Sequence, residues 1–141
     1  MKKLMIICAL VLCMVLMCST AMAASYSFDF DLKSGGSFGI GRVTTARSSA
    51  HNKADGEDCA YVTPTSRSFG DTRDELHLYI VKTGESTAQT QILSVKSSRP
   101  SLNVKQSLDY TGSYTVNGSY QLYCNAITLW KDASVGGRWT P

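Results

Sequence analysis

Apolar and polar residues alternate cleanly from Ser25 onward. Tyr26, Phe28, Phe30 and Leu32 fall on one side of Ser25–Leu32, and Ser25, Ser27, Asp29 and Asp31 on the other. A period of two belongs to an extended chain with one face buried, so this stretch predicts a strand. Lys33–Ser37 reads as a turn, and Phe38–Arg42 as a second strand carrying its glycines on one face. Cys59–Thr63 is a short strand halted at Pro64. Leu76–Lys82 is a strong one, with Leu76, Leu78 and Ile80 opposite His77, Tyr79 and Val81. Gln89–Val95 follows as its antiparallel neighbour across Thr83–Ser86, and Leu102–Val104 as a short edge strand. The sharpest local signal is Asn117-Gly118 between runs of Tyr, Thr and Val. It predicts a two-residue hairpin in which both turn residues take positive φ. The second arm places Tyr120, Leu122, Cys124 and Ala126 on the core side and Gln121, Tyr123 and Asn125 opposite. Gly136–Pro141 closes the chain as a strand or tail anchored by Trp139.

Seven or eight short strands separated by turns, with no repeat at a fixed period, predict a single all-β domain over residues 24–141. The expected architecture is a small antiparallel β-sandwich of immunoglobulin-like size, and a small β-barrel is the alternative. The 29 Ser and Thr residues of this stretch suit exposed strand faces and leave few strong helix formers in sequence.

The first residues follow a different pattern. Met1-Lys2-Lys3 precedes an apolar run of about 15 residues from Leu4 to Cys18, short of the ~20 needed to span a bilayer. Small residues at Ala21 and Ala23 fit cleavage before Ala24, so residues 1–23 read as a signal peptide, helical in the precursor. A lipidation site would want a small residue before Cys18, and Met17 is not small. The expectation is therefore a secreted, extracellular protein with no stable membrane anchor after cleavage.

Cleavage changes both the cysteine count and the charge. Of five cysteines, Cys8, Cys13 and Cys18 leave with the signal peptide, and Cys59 and Cys124 remain. In an oxidising compartment the pair predicts a disulfide closing about 65 residues, roughly 4 kcal/mol in the chain-entropy model. Two buried free thiols are the competing reading. Loss of Lys2 and Lys3 leaves 12 basic residues against 11 acidic ones, so no net positive field argues for a nucleic-acid partner.

Little in the pattern argues for catalysis. His51 and His77 are the only groups with an ordinary pKa near neutrality, and no Gly-x-Ser-x-Gly elbow is present. Asp29 and Asp31 share a strand face, where solvated charges are the ordinary case. Asp55-Gly-Glu-Asp58, in the polar Ala46–Asp58 loop, lacks the alternating spacing of a calcium loop. The expectation is a non-enzyme with no catalytic residues, metal or cofactor. A small hydrolase using His51 or His77 ranks third among the functional readings.

The aromatic residues carry more. Tyr79, Tyr114, Tyr123, Trp130 and Trp139 include several that fall opposite the apolar faces. Exposed Tyr and Trp offer flat amphipathic area to a cell-envelope glycan or an extracellular protein. Against this, Trp130 and Trp139 are equally suited to fill or cap the core.

The Tyr26-Ser-Phe-Asp-Phe30 opening, the Tyr120-Gln-Leu-Tyr123 strand and the Gly137-Arg-Trp-Thr-Pro141 ending resemble a group of small exported proteins of Gram-positive bacteria. More distantly the chain is similar to lactococcin-972-like bacteriocins. That resemblance implies a secreted β-sandwich acting on the cell envelope, and it brings no catalytic residues. A bacteriocin-like toxin is thus the alternative to a binding module.

Overall fold

The computed structural model describes residues 24–35 and 42–141. Residues 1–23, read above as a signal peptide, and most of the expected Phe38–Arg42 strand lie outside the described residues. Nine strands run in order: β1 (Tyr26–Leu32), β2 (Thr45–Arg47), β3 (His51–Asn52), β4 (Cys59–Phe69), β5 (Glu75–Lys82), β6 (Leu93–Val95), β7 (Gln106–Asp109), β8 (Ser119–Thr128) and β9 (Ala133–Thr140). They form two antiparallel sheets, β1-β9-β4-β7 and β2-β8-β5-β6, with β3 also pairing β8. The sheets do not close on one another, so the sandwich holds and the barrel does not.

Alternation determines which side chains lie between the sheets. The first sheet turns in Phe28, Phe30, Leu32, Ala60, Val62, Val135 and Trp139, and the second Leu76, Leu78, Ile80, Val95, Tyr120, Leu122 and Cys124. Fully burying one such Leu, Ile or Phe contributes roughly 1.5–3 kcal/mol, so these strands are held by their inner faces. At Gly137 an added Cβ would run into the Thr63 carbonyl, which fits glycine to the middle of the β1-β9-β4 layer.

Three local expectations are corrected. β4 does not stop at Pro64. It continues to Phe69 through a register shift between Pro64 and Ser66, beyond its last pair with β7 at Val62–Gln106. Proline is tolerated at such a bulge. Leu102–Val104 is not a strand, and the edge strand begins at Gln106. Nor do Gly112–Cys124 form a hairpin. Asn117 has φ of 62°, Gly118 does not share a positive φ, and the turn closes from the Gly118 N–H to the Thr115 carbonyl at 2.8 Å. A single positive φ at the third turn position is the type II pattern. β8 therefore pairs with β2, β3 and β5 instead of with the residues before the turn.

Within the polar Ala46–Asp58 stretch, Lys53 is fully buried. Its ammonium donates to Asp55 at 2.7 Å and to the main-chain oxygens of Pro141 (3.3 Å) and Cys59 (3.4 Å). The Tyr110 and Tyr114 ring centroids each lie 5.2 Å away. A buried cation needs such partners. This one ties the loop to the end of the chain.

The Cys59–Cys124 bridge is also corrected, because both thiols are free. Parity is the reason. In β4 the buried positions are Ala60 and Val62, so Cys59 points out of the first sheet, while Cys124 points into the core from β8. Cys59 lies 3.9 Å from a Glu57 carboxylate oxygen, and burial pushes the Cys124 thiol up to about 12.

Candidate binding surface

The structure separates the five aromatic residues singled out in the sequence. Trp139 is 1% exposed and cannot belong to a surface; its place is in the core, at 6.1 Å from Tyr26 and 5.7 Å from His51. Tyr114 lies against Tyr110 and Lys53, and its hydroxyl donates to the Gly56 carbonyl. Trp130 stands on the β8–β9 turn with 62% of its surface exposed. Only Tyr79 and Tyr123 come together.

Those two are directly opposite one another in the β5–β8 register, on the outer face of the second sheet. Their rings stack with centroids 5.9 Å apart and planes 28° from parallel. Polar neighbours fix them. The Asn125 amide donates to the Tyr79 hydroxyl at 2.6 Å, and Arg47 on β2 donates to the Tyr123 hydroxyl at 3.4 Å. Partial burial, with Tyr123 beside it, raises the Tyr79 phenol above its ordinary range, so it stays neutral and able to donate. The Asn125 carbonyl oxygen is buried and has no hydrogen-bond partner.

Next along the same face is a charged cluster. Glu75 accepts from Ser94 at 2.6 Å and meets His77 Nε2 at 3.1 Å and Lys96 at 2.9 Å. The Ser94 hydroxyl first, then Lys96, holds the Glu75 carboxyl down at about 2. Ser94 and His77 both address Glu75, whereas a nucleophile–base relay would need Ser94 to donate to His77. His51, the other candidate base, stacks on Tyr26 at 3.5 Å, and burial lowers its pKa. The arrangement can offer flat rings edged by an amide, a guanidinium and an ammonium, which suits recognition of a polar ligand.

The sequence reading missed Arg47, Asn125, Ser94 and Lys96. Asn125 carried a usable signal, since it shares the outward parity of Tyr123. Arg47 lies on a short edge strand and Lys96 just beyond another, and no alternation marks either. No protein-family model, curated protein or solved structure matches the chain.

Proposed function

We propose that this chain is a secreted, non-catalytic binding module that recognises a cell-envelope glycan through the outer face of its second sheet. The observation that carries the reading is the Tyr79–Tyr123 stack, held by Asn125 and Arg47. Tyrosine rings pre-fixed by packing lose little side-chain freedom on binding, so their contact area goes into affinity. Sugar rings present C–H faces to such platforms and hydroxyls to the flanking amide and guanidinium.

The test is depletion of purified protein by insoluble cell-wall material, with Tyr79→Ala and Tyr123→Ala alongside the parent. Truncating a central aromatic costs about 1–2 kcal/mol, or roughly 5- to 30-fold in affinity. Wall binding weakened by both substitutions supports the module. Absence of wall binding, or binding indifferent to both, contradicts it. Inhibition of bacterial growth by the same protein would favour the toxin alternative.

A further inference from the structure

The turn between β8 and β9 is built in a way the sheet face does not explain. Asp74 is fully buried, and its carboxylate accepts from the main-chain N–H of Trp130 (2.6 Å) and of Lys131 (3.3 Å). A buried carboxylate is costly unless such donors satisfy it. Here it locks a turn whose central side chain is the most exposed large hydrophobic residue described. Arg73 sits 4.6 Å from the Trp130 ring centroid, held there by two bonds to Asp71 at 2.8 and 2.9 Å. Thr128 adds a hydroxyl bond to the Arg73 carbonyl at 2.8 Å. Just before the turn, β8 slips register against β5. Leu76 pairs Ala126 and Glu75 pairs Thr128, so Ile127 is the extra residue and stands 55% exposed. Bulges of this kind re-aim side chains beside functional sites.

Together these features wall an open cavity of about 270 Å³, lined by Arg42, Ile127, Thr128, Leu129 and Trp130. Arg42 is its one charged residue. All 11 acidic side chains lie among the described residues, and none of them pairs with Arg42. Arg73, by contrast, is already committed to Asp71. The cavity thus combines a rigid indole, two aliphatic side chains, a hydroxyl and a guanidinium with no ion-pair partner among the described residues.

We propose that this cavity is a subsite for a pyranose ring bearing a carboxylate, the ring against Trp130 and the carboxylate paired with Arg42. A guanidinium matches a carboxylate with two parallel N–H donors, and an indole presents the largest stacking face of any side chain. The proposal rests on the glycan-binding reading and names the acidic sugar as the unit taken at this end of the surface.

The experiment is calorimetric titration of the full mature chain with a short oligogalacturonate and with its methyl-esterified form, which removes the charge and adds one methyl group per ring. The parent should bind the acid form at least about tenfold more tightly, with the preference shrinking as salt rises. Arg42→Ala should erase the preference. Trp130→Ala should weaken both forms about tenfold, and Asp74→Asn should weaken them through loss of the clamp. Thermal melts of each variant separate these effects from misfolding, and exposed Arg42 and Trp130 should leave the melting temperature unchanged. Equal affinity for the two forms, or a preference that survives Arg42→Ala, overturns the subsite. If Tyr79→Ala abolishes wall binding while Arg42→Ala and Trp130→Ala do nothing, the subsite fails and the module stands. If none of the three matters, both fail.

Discussion

The two outer faces of this sandwich obey the same alternation and end up chemically unlike. On the first sheet, β1 turns out Ser27, Asp29 and Asp31, β9 turns out Arg138, and β4 turns out Cys59, Tyr61 and Thr63. Its outward aromatic, Tyr61, is already occupied. The Lys105 ammonium covers the ring at 3.3 Å, and hydrogen bonding to Cys59 and then Glu57 raises its phenol above the ordinary range. On the second sheet, the outward tyrosines face each other, and the outward polar groups orient them without covering them. The ammonium lies over the ring of Tyr61, whereas Asn125 and Arg47 reach Tyr79 and Tyr123 only at their hydroxyls.

The two tryptophans repeat this contrast at larger energy, and they provide the severest test of it. Trp139→Ala should cost about 3–5 kcal/mol in chemical denaturation, because it empties a fully packed site. Trp130→Ala should stay within about 0.5 kcal/mol of the parent, since the Asp74 clamp holds main-chain N–H groups that alanine retains. Comparable losses at the two positions would break the division between core and surface.

Acid acts on the charged end of the second face. Glu75 is held at about 2 against an ordinary 4.5, so the folded state favours its charged form. The stability this contributes is fully present above about 4.5 and is lost as pH falls towards 2. Glu75→Gln should therefore flatten the acid limb of a melting-temperature profile over that window.

The smallest effect is expected at Cys59. Cys59→Ser should change stability by no more than about 0.5 kcal/mol, because no bridge is lost. A thiol reagent should titrate Cys59 in the native protein and reach Cys124 only on unfolding. A large loss on substitution would restore the bridge.

Much of this fold was legible because its strands are amphipathic. The alternations Phe28-Phe30-Leu32 and Leu76-Leu78-Ile80 identify inner faces without help from tertiary context. Parity misled only where it was read incompletely. Cys124 was assigned inward correctly, whereas Cys59 was paired with it by compartment reasoning, although Ala60 and Val62 mark the inner side of β4. The Asn117-Gly118 signal gave a turn but the wrong partner, since what β8 pairs with is decided by burial across the sandwich. The surface was half legible: parity put Tyr79 and Tyr123 outward, but their adjacency depends on the β5–β8 register. Asp74 and Trp130 are 56 positions apart, and nothing local to either announces the clamp.

If the second face binds and the first does not, amide chemical-shift mapping during titration with a soluble cell-wall polysaccharide reads both faces at once. Perturbations should gather on Glu75–Tyr79 and Gln121–Asn125, with Ser27–Asp31 and Arg138 unmoved. Perturbations centred on β1 and β9, or spread evenly over both sheets, would contradict binding by the second face alone.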